Sequence, residues 1–278
     1  MATYNIVSKE VKDKIIEEYL KKPTTINNIA KYFNLCAPTI MNILNEYNIK
    51  RYTKSELYNP DFVSNYFENI DTEAKAYFLG FILTDGNIFY PQNNGEALVS
   101  ITQNESDKYI LDIFKNEVKT NRNISFDGRG ACYIAVSSNK MAMDLSKYGI
   151  VPNKSLIKQL SFINPLLMRH YIRGIFDGDG NITSSITLGE KGAKHRHKIS
   201  FCGPYIMMEQ IKQYIAYALN ITSDPLIYTY SNRNLSEVRW GSIEDIYKIG
   251  EWFYRDSTIF LRRKYNTYMA FKRYYEII

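Results

Sequence analysis

Cysteine is scarce and scattered. Cys36, Cys132 and Cys202 show no CxxC pair and no disulfide-like spacing. That argues against a zinc module and for a reducing, intracellular setting. Histidine is limited to three residues, and His195 and His197 alternate rather than sit at metal-ligand spacing. Long apolar runs are also missing: none approaches a membrane span, and the start of the chain lacks the apolar core of a signal peptide. The expectation is a soluble, intracellular protein with no membrane partner, either cytoplasmic or phage-encoded within a bacterial host, with an organelle left open.

Charge is present but uneven. The formal net charge of the 278 residues is +6. Residues 1–58 carry 9 Lys/Arg against 6 Asp/Glu, residues 59–190 carry 12 against 15, and residues 191–278 carry 14 against 8. The two ends are basic and the middle is not, which suits a polyanionic partner.

The front reads as three short helices. Val11, Ile15, Ile16 and Tyr19 recur at helical spacing. Pro23 breaks that helix, and Thr24 or Thr25 is placed to cap a second one, Ile26 to Phe33. Asn34 supplies a turn, and a third helix runs from about Ala37 to Tyr47 with Ile40, Ile43 and Leu44 inward. Such a trio looks like a helix-turn-helix, whose last helix enters the major groove. Its early residues, Thr39 and Asn42 among them, would reach base edges, and Lys50 and Arg51 would track phosphates. Tyr52 to Pro60 reads as a linker.

The most informative feature is internal. The twelve residues Tyr77–Ile88 reappear as Tyr171–Ile182, at a constant offset of 94 residues, with Tyr, Gly, Asp, Gly, Asn and Ile identical. Self-similarity at one offset suggests two copies of one structural unit. Each copy reads as a helix that ends in an acid, then Gly, then a strand. Gly80 and Thr84, like Gly174 and Gly178, stand four apart and form a stripe of small residues. Helices packed through such stripes approach closely, and would bring Asp85 and Asp179 side by side. Two adjacent carboxylates repel unless a proton or cation lies between them, and oxygen-only ligands favour Mg²⁺.

Phe78–Gly86 and Ile172–Gly180 resemble the two signature motifs of the LAGLIDADG homing endonucleases, in their single-chain form. The first departs from the family pattern at Leu83, where the family has an earlier acid, and at Thr84, which is normally smaller. Both copies keep the last acid before the closing Gly, the one that is catalytic in that family. Gly149–Ser155 resembles the family's half-end motif, and the likeness extends over roughly residues 65–270.

The resemblance implies an α+β fold: a pseudo-twofold αββαββα duplication whose two antiparallel sheets form a DNA-binding saddle, preceded by the all-α helix-turn-helix. The corresponding divisions are residues 1–55 for the front module and linker, 56–160 for the first half and 161–278 for the second. It further implies a monomeric, intron-mobility type of enzyme that makes a double-strand break in a long site on double-stranded DNA. Asp85 and Asp179 would bind Mg²⁺ (or Mn²⁺) and the scissile phosphates. Gln103 would orient water, with Gly203 at the matching place in the second half. Lys154 and its counterpart, Lys264 in preference to Arg263, would offset transition-state charge. The sheets would read bases, with Arg239 among the readers. The stretch Lys191–Lys198, read as a loop, would touch phosphate through Lys194 and Arg196, and Arg263 would also contact DNA.

Two other readings share the scaffold. A DNA-binding regulator that does not cut suits the front module, yet would not need both acids. An intron RNA splicing cofactor, as relatives of the family are, would use the basic C-terminal third, so intron RNA is kept as an additional partner.

Overall fold

The computed structural model describes residues 7–93, 95–189, 192–230 and 235–276, with Ser55, Leu156, Glu276 and the stretches 186–189 and 192–195 described by backbone alone. The chain divides into two units. One comprises Met1–Val63 with Lys119–Asn121, the other Ser64–Val118 with Arg122–Ile278.

In the smaller unit, polar caps start two of three helices. Ser8 accepts from Val11 N to begin α1 (Lys9–Lys21), and Thr25 accepts from Asn28 N to begin α2 (Ile26–Tyr32). The third, α3 (Ala37–Glu46), carries Pro in its first turn, where the missing N–H costs nothing. Asn34 and Asn48 end α2 and α3 in the left-handed region that Asn tolerates. Ile15, Tyr19, Ile29, Ala30, Ile40, Ile43 and Leu44 form the core. Tyr52 N donates to Tyr19 Oη at 3.1 Å, and a short helix α4 (Lys54–Tyr58) follows.

The larger unit repeats one order twice. Its first copy is α5 (Glu73–Asp85), β1 (Gly86–Phe89), β2 (Leu98–Asn104), α6 (Lys108–Glu117), β3 (Ser125–Phe126), β4 (Ala131–Ser137) and α7 (Asn139–Ser146). The second is α8 (Met168–Asp179), β5 (Gly180–Gly189), β6 (Gly192–Gly203), α9 (Tyr205–Leu219), β7 (Ile227–Tyr230), β8 (Leu235–Trp240) and α10 (Ile243–Tyr254), to which α11 (Arg262–Glu276) is added. The αββαββα order expected for each half is therefore observed. Each copy holds one antiparallel four-stranded sheet, ordered β1-β2-β4-β3 and β5-β6-β8-β7. Within each sheet, alternate residues face the helices and are buried: Val99, Ile101, Ile134 and Val136 in the first, Ile199, Phe201, Val238 and Trp240 in the second.

One expectation is corrected. The basic stretch read as a loop is strand: β6 begins at Gly192 and pairs residue for residue with β5, Arg196 opposite Ser185 and Lys198 opposite Thr183. Lys191 lies outside the described residues. Alternating Lys, His, Arg, His, Lys is a period-two pattern, and high charge concealed it. Among the described residues, no helix is long and apolar enough to cross a membrane.

Candidate active site

The two acids meet because two glycines let two backbones touch. A Cβ on Gly80 would lie 2.1 Å from Tyr171 O, and one on Gly174 would lie 2.1 Å from Tyr77 O. These are the same contact seen from either side of a pseudo-twofold axis between α5 and α8. Further along, a Cβ on Gly178 would lie 1.9 Å from Thr84 Oγ1. Thr84, larger than the motif normally allows, is thus accommodated by a glycine facing it. Its hydroxyl donates to Phe81 O at 2.9 Å within its own helix.

Asp85 and Asp179 are the last residues of α5 and α8, and Gly86 and Gly180 follow in extended conformation, each donating its N–H back to its helix. Burial, then the negative charge of Asp179, pushes the Asp85 carboxyl up to about 6, against the opposing pull of Gln103, Lys264 and Lys158. That shift reports a carboxylate pair in a partly desolvated pocket. Each acid has a different partner. Gln103 Nε2 donates to Asp85 Oδ2, whereas Lys158 Nζ donates to Asp179 Oδ2 at 2.7 Å. In the sheet registers Gly86 faces Ile101 and Gly180 faces Phe201, so Gly203 occupies the place of Gln103. The second copy has no side chain there.

Lys154 and Lys264 are both buried. Lys154 Nζ donates to Gly86 O, just past the first acid. Lys264 Nζ donates to Gly180 O, just past the second, and to Asp177 O at 2.8 Å. Carbonyls at a helix end lack intrahelical partners and carry partial negative charge, so a buried ammonium is satisfied there. Burial, with Lys158 adding repulsion, lowers Lys154 to about 8; burial likewise lowers Lys264 to about 8.

Asp85, Asp179, Gln103, Lys154 and Lys264 are therefore gathered at one end of the α5–α8 pair. Arg263 is not: its Nε donates to Asp107 Oδ2 at 2.9 Å. Arg239 and Arg196 lie on the second sheet, and the Lys194 side chain falls outside the described residues. In the smaller unit Asn42, Lys50 and Arg51 are exposed, while Thr39 is half-buried with its Oγ1 3.0 Å from Cys36 Sγ. Sequence reasoning missed Lys158, four residues beyond Lys154; that basic spacing was the available signal. It also missed Glu237, an acid on an otherwise cationic face. Asp177 is fully buried, accepting from Tyr77 Oη and Leu261 N, and caps interior polar groups.

Among the described residues no group of three or more His, Cys, Asp or Glu could hold a metal ion. The donors at the helix ends are two carboxylates and backbone carbonyls. Such hard oxygen ligands suit a divalent cation that keeps waters and accepts a phosphate oxygen, and a cation would offset the burial and the Asp179 charge that raise the Asp85 carboxyl.

No protein-family profile and no curated protein sequence matches the chain. Solved structures do. The meganuclease I-SmaMI bound to uncleaveable DNA superposes with TM-score 0.56 at 13% identity, over 74% of this chain and 92% of that one. The I-LtrWI LAGLIDADG homing endonuclease bound to target DNA gives 0.54 at 12% identity, over 74% and 90%. The LAGLIDADG meganuclease I-AabMI bound to uncleaved DNA gives 0.53 at 14%, over 72% and 90%. The chain has the LAGLIDADG homing-endonuclease fold. In that fold's terms, α5 and α8 carry the two motifs, and the departures at Leu83 and Thr84 leave their packing intact.

Proposed function

We propose that this protein is a site-specific DNA endonuclease that makes a double-strand break in a long duplex site by divalent-cation-dependent phosphodiester hydrolysis. The observation that carries the proposal is the pairing of Asp85 with Asp179 at two glycine-packed helix ends, each flanked by a buried lysine. The neighbours bearing this fold are described as bound to DNA, one of them in the presence of calcium ions.

Asp85 and Asp179 are the residues that would hold Mg²⁺ or Mn²⁺. Bound there, the cation would supply charge neutralisation at a phosphate oxygen and a more acidic water. Gln103 fixes the orientation of the Asp85 carboxylate, and Lys158 does the same for Asp179. Lys154 and Lys264 place fixed positive charge beside both acids, where negative charge grows as a phosphodiester is attacked. In the smaller unit, α2 and α3 act as a helix-turn-helix, with Asn42 toward bases and Lys50 and Arg51 toward phosphates. A single chain supplies both acids, so the enzyme works as a monomer.

The test is cleavage of a plasmid library of random inserts by full-length protein with Mg²⁺. Linear product should form from one insert class, and Asp85→Asn or Asp179→Asn should abolish double-strand cutting while leaving binding. Linearisation by both variants would sink the mechanism. Replacing Asn42, Lys50 and Arg51 together by Ala should weaken binding and spare cleavage at saturating protein; unchanged affinity would remove the smaller unit from recognition.

A further inference from the structure

An ion pair closes the second helix end and has no equivalent at the first. Lys158 Nζ donates to Asp179 Oδ2 at 2.7 Å, and that carboxylate is the one acceptor its ammonium has among the described residues. The lysine side chain is 8% exposed and the acid 33%, so the ammonium is the more deeply buried partner. The neighbouring lysines are held otherwise. Lys154 donates to Gly86 O, and Lys264 spends three donors on Phe176 O, Asp177 O and Gly180 O. Those two are held by backbone oxygens, whereas Lys158 is held by the carboxylate on which a cation would depend.

At the first acid the matching contact comes from a neutral amide, Gln103 Nε2 to Asp85 Oδ2. An amide can remain beside a bound divalent ion. An ammonium cannot share one oxygen with it, because like charges a few ångströms apart repel. Four residues beyond Lys264 stands Tyr268, and it turns elsewhere. Its hydroxyl donates to Glu251 Oε1 at 2.8 Å, and its ring fills the space that Gly250 leaves. The surroundings of Lys158 leave it free to move. It follows the turn at Lys154–Leu156, belongs to no helix or strand, and lies between exposed Ile157 and Gln159. A four-carbon stem redirects the ammonium without moving the backbone.

We infer, building on the endonuclease reading, that Lys158 is a resident counter-ion of Asp179 which a divalent cation must displace, so the two helix ends take up cations unequally. In the metal-free protein the ammonium keeps the second carboxylate aimed and weakens cation binding there. The Asp85 end, whose partner is neutral, has no such competitor. Once displaced, the ammonium remains tethered near Asp179, where a phosphate held by the cation is the anion next within its reach.

Mn²⁺ titrations of the full-length, DNA-free protein, read by the electron paramagnetic resonance signal of the unbound ion, test this. Lys158→Met should tighten binding about tenfold, the factor expected if the ammonium leaves Asp179 open only about a tenth of the time. In an Asp179→Asn background the same substitution should change affinity little, because the contested carboxylate is gone. An effect of equal size in that background would make Lys158 a distant charge and overturn the inference. A second measurement needs no variant. Acylation of the parent protein by an N-hydroxysuccinimide ester, mapped by peptide mass, should label Lys158 faster with saturating Ca²⁺ than without, while Lys264 stays constant as the reference. Equal labelling of Lys158 in both conditions would show that the ammonium is not displaced, and would also overturn the inference. Mn²⁺ binding that neither Asp85→Asn nor Asp179→Asn weakens would remove the cation site of the endonuclease reading, and this inference with it. Binding that both weaken, with Lys158→Met giving no change, would refute this inference alone.

Discussion

The helices α5 and α8 occupy equivalent places and bury most of what they carry, yet the fully buried residues of one carry no charge and those of the other do. Where α5 has Ala76, Leu79 and Leu83, α8 has His170, Arg173 and Asp177, all buried. Arg173 donates to Phe253 O and Ile259 O at 2.8 and 2.9 Å and to Glu73 Oε1 at 2.7 Å. Asp177 accepts from Leu261 N at 2.7 Å. The polar stripe on α8 thus receives the backbone of the connection between α10 and α11, which has no sheet or helix to satisfy it. A buried polar network is stable only when its members are paired. Duplicated elements kept their shared geometry, and diverged where a neighbouring segment needed hydrogen-bond partners.

The comparison can be broken most severely at the features both halves share. Asp85→Asn and Asp179→Asn should each reduce double-strand cleavage by about a thousandfold or more, measured as linear product from a supercoiled plasmid. Because Asn removes the repulsion at Asp85, the metal-free Asp85→Asn protein should melt no lower than the parent. A lower melting temperature would count against the crowded-carboxylate picture. Gly80→Val and Gly174→Val should cost equally, about 4 kcal/mol or more each, since the new side chain meets backbone on the partner helix. Unequal losses in denaturant unfolding would contradict the pseudo-twofold contact.

The features that differ should respond differently. Arg173→Met should cost about 3–5 kcal/mol by removing the ion pair of Glu73 and leaving Phe253 O and Ile259 O without their donor, whereas Leu79→Met at the equivalent position should cost under about 1.5 kcal/mol. Similar values for the two would show that the α8 network contributes little. At the acids, Lys158→Met should lower the metal-free melting temperature by leaving Asp179 unpaired, and added Ca²⁺ should close most of that gap. Gln103→Ala should show a smaller loss, because an uncharged partner is removed. A gap that Ca²⁺ leaves untouched would assign Lys158 a packing role only.

The smallest effect concerns pH. Burial, with the Arg173 charge behind it, lowers His170 to about 4 from an ordinary 6.5. The folded histidine stays neutral while the unfolded one takes up a proton, so stability is full above pH 6.5 and falls as pH drops toward 4. His170→Gln should flatten that loss, on the order of 1–3 kcal/mol, in thermal melts between pH 7 and 4. A parallel decline in both proteins would place the sensitivity elsewhere. Glu73, also held low, contributes in the same direction.

Much of the site was legible before the structure. Repetition of Tyr, Gly, Asp, Gly, Asn and Ile at one offset identified the helix pair, because close backbone approach demands glycine at the contact itself. The acids followed from their place at the helix ends. The four-residue spacing of small residues foretold which faces meet, since helical periodicity is local. Period two was equally present in Lys194–Lys198, but charge made a strand look like a loop.

Other features depended on contacts between residues far apart in the chain. That Lys158 pairs with Asp179 and Gln103 with Asp85 is decided by where a post-helical segment and a strand end come to rest; local spacing carries no such information. That Arg263 turns to Asp107 while Lys264 turns inward is settled by which side of α11 faces the motif. Glu237 reads in sequence as one more surface acid, and becomes a nearly buried ion-pair partner only when β6, β7 and β8 set Lys198, Tyr230 and Arg239 around it. Local pattern determined the elements and the two acids, because backbone geometry and periodicity act over a few residues. Tertiary structure decided the partners of each charge, because desolvation and hydrogen bonding depend on whatever the fold brings alongside.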